Sequence, residues 1–270
     1  MMEAAGVRIA MWSGPRNIST AMMRSFEARG DSAVTDEPFY AAYLHRTGID
    51  HPMREAVMAS QALDPREVAA MLVGPVPGGK PVWYQKHMTL HLLHDFDRGW
   101  LARVRNAFLI RDPRAVLASY ASRRAQVSLA DIGCVQQREL FDAVADREGR
   151  VPPVVDAADI LANPAGTLEM LCGALDVPYT AAMLRWPAGR RSTDGVWAPA
   201  WYQAVERSTG FWNPAGDPGA AAEPRAAADD SAPLAPHLAE LAAQAEPHYA
   251  ELWRHRLLRR GRHGTMTNAR

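Results

Sequence analysis

The first forty residues carry the pattern of a strand, a turn, a helix and a second strand. Residues 7–12 form a short apolar run, residues 13–17 are rich in turn formers, and residues 18–28 place apolar side chains at helical spacing. Gly30 ends the predicted helix, and residues 32–35 are typical of a second strand. Strands joined through a helix pair in parallel, and a parallel sheet needs helices on its faces. This pattern predicts an α/β fold with a central, mainly parallel sheet flanked by helices.

The rest of the chain continues the alternation of strands and helices. Further strands are predicted at 81–85, 106–111 and 153–156, and helices at 89–100, 113–124, 131–147, 164–175 and 237–259. Residues 38–79 hold no clear strand and are predicted to be a helical insertion. Residues 213–236 are rich in Pro, Gly, Ala and Asp, which predicts a flexible loop, and residues 261–270 are predicted to be a frayed tail. We expect residues 1–270 to form a single domain.

Charge and cysteine content narrow the functional classes. Thirty basic and thirty acidic side chains give a formal net charge of +0, which argues against a general nucleic-acid binder. The two cysteines, Cys134 and Cys172, are too few for a disulfide scaffold or a four-cysteine zinc site. The sequence shows no signal peptide and no apolar run near the ~20 residues that span a bilayer. We therefore expect a cytoplasmic protein that binds neither nucleic acid nor membrane.

The turn after the first predicted strand has the chemistry of an anion site. It is Ser-Gly-Pro-Arg-Asn-Ile-Ser-Thr over residues 13–20. Such a turn directs backbone N–H groups and the positive end of the helix dipole at one point, and Arg16, Ser19 and Thr20 add further donors. The spacing is not the G-x-x-x-x-G-K-[ST] of nucleoside triphosphatases. The alternative is an ordinary turn in which a serine caps the helix.

A second candidate anion site lies where the fourth predicted strand meets the next helix. Arg111 ends that strand, and Ser119 follows eight residues later inside the helix. Ligands of open α/β sheets bind beyond the carboxyl ends of the strands, so this site and the first turn share one edge. The alternative is that Arg111 pairs with a nearby acid and Ser119 faces a helix neighbour.

The two motifs together resemble the sulfotransferases that use 3′-phosphoadenosine 5′-phosphosulfate (PAPS), in particular the bacterial members. Residues 15–20 stand where that family has Pro-Lys-Ser-Gly-Thr-Thr, and Arg111 and Ser119 match its Arg and Ser that bind the 3′-phosphate. Residues 155–164, ending in Asn-Pro, are similar to a third motif of the family. Two departures are clear, since Arg16 replaces the usual lysine and Ile18 replaces the usual glycine.

The resemblance implies a P-loop-type three-layer domain that moves a sulfuryl group from PAPS to a hydroxyl or amine by in-line displacement. It also implies that residues 207–211 form a C-terminal loop over the 3′-phosphate, where Phe211 or Trp212 stacks on adenine. No metal is expected. The residues implied in binding the donor are Gly14, Pro15, Arg16, Asn17, Ile18, Ser19, Thr20, Arg111, Ser119, Arg207 and Ser208.

Sulfuryl transfer also needs a base for the proton of the acceptor. Glu37, after the second strand, is the preferred candidate, and His87, after the third strand, is the second candidate or a substrate-binding residue. By the same resemblance, Arg16 stabilises the leaving phosphate and Lys86 contacts the transferring group. A metal site built from His87, His91 and His94 is a weaker alternative.

The acceptor is predicted to be a small molecule held by residues 39–72 and by the region after Pro178. The aromatic residues Trp197, Trp201 and Tyr202 either face that acceptor or pack in the core. Two other functions stay open at this point. One is a kinase-like phosphotransferase that uses a nucleoside triphosphate, and the other is a non-catalytic nucleotide-binding protein. The oligomeric state has no signal in the sequence.

Overall fold

A computed structural model describes residues 6–121, 127–211 and 234–258 of the chain. Its centre is one five-stranded sheet in the order β2-β3-β1-β4-β5, and every neighbouring pair of strands is parallel. This confirms the predicted α/β class. The strands are β1 (Val7–Ser13), β2 (Ser32–Asp36), β3 (Val82–Met88), β4 (Arg105–Ile110) and β5 (Val154–Asp156).

Helices cover both faces of the sheet. They are α1 (Ser19–Glu27), α2 (Tyr40–Thr47), α3 (Arg54–Ser60), α4 (Pro65–Leu72), α5 (Pro113–Ala121), α6 (Leu129–Ile132), α7 (Cys134–Glu148), α8 (Ala157–Ala162), α9 (Pro164–Ala174), α10 (Ala198–Trp201), α11 (Gln203–Arg207) and α12 (Pro236–Arg254). Within the described ranges, no helix is both long and apolar enough to cross a lipid bilayer.

Side chains of the central strand β1 alternate between two apolar layers because successive residues of a strand point to opposite faces. Ile9 and Met11 pack with α1 and α9, in a layer that also holds the buried Cys172. Ala10 and Trp12 pack on the other side with residues from α2, α4, α7 and α12. The two layers bury both faces of the sheet, as a parallel sheet requires.

The segment between β2 and β3 holds three helices, in agreement with the helical character predicted for residues 38–79. The start of α4 follows from local chemistry, because the Asp64 side chain accepts a hydrogen bond from the Arg66 N–H at 2.8 Å and Pro65 occupies the first turn. Most of the predicted loop 213–236 and all of the predicted tail 261–270 lie outside the described residues.

One helix prediction was wrong. Residues 89–100 form a short 3₁₀ turn (Thr89–His91) and then leave helical geometry at Leu92 (φ −92°, ψ 83°). Apolar side chains here recur every four residues, as they would in a helix, but non-helical turns place them in the core. The helix predicted over 131–147 is confirmed as α7 over most of its length, but α7 begins only after Gly133, which adopts a left-handed conformation (φ 69°) between α6 and α7.

Candidate active site

A cavity of about 330 Å³ opens at the carboxyl edge of the sheet, where the strand ends meet. Most of the residues that the sequence predicted for the site line it, from five separate parts of the chain. They are Pro15, Arg16, Asn17, Ile18, Ser19, Thr20, Glu37, Lys86, Arg111, Ser119 and Ser208. Gly14, His87 and Arg207 are not among the lining residues.

The turn between β1 and α1 is held in an unusual backbone conformation. Arg16 and Ile18 have positive φ angles of 62° and 53°. Ile18 precedes α1 in the left-handed region, which is costly for a β-branched residue and is otherwise typical of glycine. Gly14 is packed so closely against α6 that a Cβ atom would lie 2.5 Å from the Ile132 carbonyl oxygen. The turn is therefore fixed by its neighbours.

The two predicted anion sites form one structure. The Arg16 Nε donates a hydrogen bond to the Ser119 Oγ at 2.9 Å, and the Arg111 Nη1 donates to the Arg16 carbonyl oxygen at 2.8 Å. Ser119 thus faces the β1–α1 turn. Two guanidinium groups, a serine hydroxyl and the N-terminus of α1 converge on one end of the cavity. This end is suited to a phosphate or sulfate group.

Lys86 also lines the cavity, and it is buried in a cluster of charges. Its Nζ donates to the Asp36 Oδ1 at 2.8 Å, to the Glu37 Oε1 at 2.5 Å and to the Tyr202 hydroxyl at 2.8 Å. Burial lowers the pKa of Lys86, but Asp36 and Glu37 outweigh this and hold the pKa well above its ordinary value. An ammonium has three donors, and all three are used here. Contact of Lys86 with a sulfuryl group would require one of these bonds to break.

Asp36 and Tyr202 complete this charge cluster. Sequence reasoning did not assign Asp36 to the site, and it left open whether Tyr202 faces the acceptor or packs in the core. The Tyr202 hydroxyl donates to the Asp36 Oδ2 at 2.7 Å and accepts from Lys86 and from the Trp197 Nε1 at 3.1 Å. The Gly195 N–H also donates to the Asp36 Oδ2, at 3.0 Å. The hydroxyl therefore makes every hydrogen bond that it can. Trp197 packs in the core, whereas Trp201 and Tyr202 line the cavity.

Glu37 follows β2 and reaches the cavity with its side chain 7% exposed. Its φ angle of 38° is positive, and its N–H donates to the Lys86 carbonyl oxygen at 2.9 Å. Burial raises the pKa of the Glu37 carboxyl group, Lys86 lowers it and Asp36 raises it, with the net pKa above the ordinary value. A carboxylate whose pKa is raised is a stronger base than an ordinary glutamate.

His87 lies on the opposite side of β3 from Lys86. Its ring stacks on Trp12, with centroids 4.3 Å apart, and it is 1% exposed. Burial, and then the charge of Lys86, lower its pKa to about 3, so the imidazole is neutral. Because strand residues alternate in direction, only one of this adjacent pair reaches the cavity. The placement of His87 does not support its predicted role as a base or a substrate-binding residue.

His91 lines the cavity, although the sequence indicated it only as a weak metal ligand. It is 4% exposed, and its Nδ1 lies 3.8 Å from the Glu37 Oε2. Burial is the main cause of a pKa well below the ordinary value for histidine, with smaller contributions from His51 and Lys86. Among the described residues, no three His, Cys, Asp or Glu side chains are grouped to hold a metal ion.

The C-terminal loop predicted over residues 207–211 reaches the cavity only in part. Ser208 and Phe211 line it, and Arg207 does not. The Ser208 Oγ accepts a hydrogen bond from the Trp186 Nε1 at 3.1 Å, and the Phe211 ring packs edge-on against Trp186. Trp212 lies outside the described residues.

Together, the fold and the site define a parallel α/β domain whose cavity is lined by a β1–α1 turn suited to an anion and by a buried acid. The model of a sulfotransferase domain family matches residues 7–234. The chain therefore belongs to that sulfotransferase family.

Solved structures share this fold at low sequence identity. The sulfotransferase domain of the Synechococcus PCC 7002 olefin synthase superposes with a TM-score of 0.53 at 16% identity, over 92% of this chain and 96% of that one. A sulfotransferase from Alicyclobacillus acidocaldarius gives a TM-score of 0.54 at 15% identity, over 94% and 98% of the two chains.

Two curated relatives come from Arabidopsis thaliana. They are branched-chain-amino-acid aminotransferase-like proteins 1 and 2, which are 35% and 34% identical to this chain over 206 residues. That match covers 76% of this chain but only 37% and 36% of the relatives. The chain thus spans little more than a third of the length of these relatives.

Proposed function

We propose that the protein is a sulfotransferase that moves a sulfuryl group from PAPS to a hydroxyl or amine of a small-molecule acceptor. The observation that carries this proposal is the junction of Arg16, Ser119 and Arg111 in the wall of a cavity that Glu37 also lines. Cations that bind a nucleotide phosphate and a carboxyl group that removes a proton are the two parts that such a transfer needs.

The donor would lie along the β1–α1 turn. Arg111 and Ser119 would hold the 3′-phosphate, while the N-terminus of α1 with Ser19 and Thr20 would hold the 5′-phosphosulfate. The bond between sulfur and the bridging phosphate oxygen breaks, and negative charge develops on that oxygen. Arg16 and the backbone N–H groups would stabilise this charge, which lowers the barrier to transfer.

The acceptor would lie between the transferring group and Glu37. Its nucleophilic atom forms the new bond to sulfur, and its proton moves to the Glu37 carboxylate. Both segments predicted to hold the acceptor contribute to the cavity wall. The first contributes Tyr40, Tyr43, Ile49 and His51, and the second contributes Trp201, Tyr202, Ala204 and Val205.

A ligand-binding experiment separates this function from a kinase-like one. Adenosine 3′,5′-bisphosphate should raise the melting temperature of the protein, and ATP with Mg²⁺ should not, because the turn lacks the glycine and lysine of a triphosphate loop. Arg111→Met should abolish the shift, and Arg66→Met on the exposed surface of α4 should keep it. Stabilisation by ATP–Mg²⁺ alone would overturn the proposal.

Turnover is tested with ³⁵S-labelled PAPS and a panel of alcohols, phenols, amines and sugars. Transfer of label to a panel member supports the proposal. Binding of the bisphosphate without transfer to any acceptor would instead favour a non-catalytic nucleotide-binding protein.

A further inference from the structure

The imidazole of His91 is held rigidly at the acceptor end of the cavity. Its ring lies between two tyrosine rings, with centroids 4.4 Å from Tyr40 and 4.8 Å from Tyr43. Tyr40 is held in turn by a hydrogen bond between its hydroxyl and the His51 Nδ1. Both faces of the imidazole are covered, so only its edge is available to a ligand.

The nitrogen nearest Glu37 lacks a partner. The His91 Nδ1 is buried and has no hydrogen bond to any residue in the described ranges, yet it lies 3.8 Å from the Glu37 Oε2. That separation is too long for a direct hydrogen bond. It is short enough for one ligand atom to lie about 2.8 Å from both. A buried polar atom left without a partner carries a free-energy cost that such a ligand would remove.

The neighbouring carboxylate determines which nitrogen of a neutral His91 carries the proton. An N–H directed toward negative charge is favoured, and a lone pair directed toward it is disfavoured. Nδ1 is the ring nitrogen paired with Glu37, so the Nδ1–H tautomer is the stable one. His91 is therefore a donor toward the gap, and Glu37 is an acceptor.

We propose that the gap between the His91 Nδ1–H and the Glu37 Oε2 is the binding site of the acceptor's nucleophilic group and selects a hydroxyl over a primary amine. This inference rests on the proposed sulfuryl transfer. A hydroxyl donates its hydrogen to Glu37, accepts from Nδ1–H with one lone pair and attacks sulfur with the other. A neutral amine has a single lone pair, so it cannot accept from Nδ1–H and attack at the same time.

The transfer is balanced in atoms and charge. The oxygen of the acceptor forms a bond to sulfur, the bond from sulfur to the nucleotide phosphate breaks, and the hydroxyl proton passes to the Glu37 Oε2. The products are a sulfate ester and adenosine 3′,5′-bisphosphate. His91 keeps its proton throughout and acts by positioning the oxygen.

The first test reads the tautomer directly and does not depend on turnover. In ¹⁵N-histidine-labelled protein, two-bond ¹H–¹⁵N correlation spectra distinguish a protonated Nδ1 from a protonated Nε2, and the His91 signals are assigned by their loss in His91→Phe. The expected result is the Nδ1–H form in the free protein. A protonated Nε2 would overturn the inference even if the protein transfers sulfuryl groups.

The second test compares variants on matched acceptors, 2-phenylethanol with 2-phenylethylamine and 1-hexanol with 1-hexylamine. Wild type should sulfate the alcohols and not the amines. His91→Phe keeps the stacked ring but lacks the donor, and it should lower kcat/KM for alcohols roughly ten- to hundred-fold at unchanged Kd for adenosine 3′,5′-bisphosphate. His91→Asn places an N–H near the Nδ1 position and should restore much of that loss.

The matched control is His94, three residues further on, whose side chain is exposed and faces Glu139. His94→Phe and His94→Asn should leave both kcat/KM and the preference for alcohols unchanged. Equal use of alcohols and amines by wild type, or no recovery in His91→Asn, would overturn the inference. Failure of wild type to transfer label to any acceptor would count against the proposed function, and the tautomer would still decide the role of His91.

Discussion

Opposing influences act on the Glu37 carboxyl group. Burial and the neighbouring Asp36 raise its pKa, the Lys86 ammonium lowers it, and the net pKa lies above the ordinary value for glutamate. Only the ionised form can take a proton from an acceptor. Activity should therefore fall as the pH drops through this raised pKa, and the acidic limb of the kcat/KM profile should lie above the pKa of an ordinary glutamate.

The substitution that tests this role of Glu37 is Glu37→Gln, which removes the base and keeps the shape of the side chain. We expect kcat to fall by roughly 10²- to 10⁴-fold and the Kd for adenosine 3′,5′-bisphosphate to stay unchanged. Steady-state kinetics and calorimetry measure the two quantities. Glu55→Gln on the exposed face of α3 is the control and should keep wild-type kinetics. If Glu37→Gln kept both the rate and the acidic limb, the base would have to be another group.

Lys86 supports a second prediction about a single residue, because it is the cation paired with two buried carboxylates. Lys86→Met would leave Asp36 and Glu37 buried without it. Breaking a buried pair in this way costs about 3–5 kcal/mol of unfolding free energy. Urea denaturation followed by circular dichroism would measure the loss.

Lys80→Met provides the comparison for Lys86. The Lys80 Nζ donates to the carbonyl oxygens of Gly30 and Ser32 near the surface, and the substitution should cost about 1 kcal/mol. Equal losses in the two variants would show that the charge cluster does not depend on its lysine.

Among the elements, the β1–α1 turn is the most tightly constrained by its neighbours. Gly14→Ala would bring a Cβ atom to 2.5 Å from a backbone oxygen of α6, which cannot move away as a flexible side chain would. We expect a loss of about 1–3 kcal/mol in unfolding free energy and weaker binding of adenosine 3′,5′-bisphosphate, because the turn must shift.

Gly173→Ala is the matched control for Gly14→Ala. Gly173 lies inside α9, and no described atom outside its own helical turn lies within 4 Å of the position that an alanine methyl group would take. Alanine there should stabilise the protein by about 0.5–1 kcal/mol. Denaturation curves and calorimetric titrations of both variants provide the comparison. A Gly14→Ala protein with wild-type stability and affinity would show that the neighbours of the β1–α1 turn do not constrain it.

Local sequence patterns correctly predicted the strands, because a strand is recognised from the residues within and beside it. All five strands appear where short apolar runs lie between turn residues, and the strand ends brought Arg16 and Arg111 together as expected. The same reasoning failed for residues 89–100, where a four-residue apolar repeat is satisfied by turns. It also indicated His91 only as a weak metal ligand and left open whether Tyr202 faces the acceptor or packs in the core. Their roles depend on contacts with residues that are distant in the sequence, and the spacing of nearby residues does not predict such contacts.

Over the whole molecule, the formal net charge of +0 conceals a polarised cavity. Arg16 and Arg111 line the cavity, and so does Glu37, which shares Lys86 with the buried Asp36. An anionic group is attracted to the two arginines and repelled by the carboxylates. The placement of these charged side chains, which the composition does not show, therefore determines which ligands the cavity favours.

The C-terminal helix α12 belongs to the core even though the family match ends at residue 234. The Leu257 N–H donates to the Val154 carbonyl oxygen at 2.8 Å, beside β5, and the Tyr249 hydroxyl donates to the Asp156 Oδ2 at 2.8 Å. Leu252 is buried in the apolar layer that also holds Trp12. The helix thus completes one of the two apolar layers that cover the sheet.

Leu252→Ala should therefore cost about 2–5 kcal/mol of unfolding free energy, because it opens a cavity between α12 and the sheet. Trp253→Ala, at the neighbouring position, removes a larger side chain that is 41% exposed and stacks on Arg256, and it should cost about 1 kcal/mol or less. Urea denaturation of the two variants measures both losses in unfolding free energy. If the tryptophan variant lost as much stability as the leucine variant, α12 would be a surface appendage, and the residues matched by the family model would have to complete the core without it.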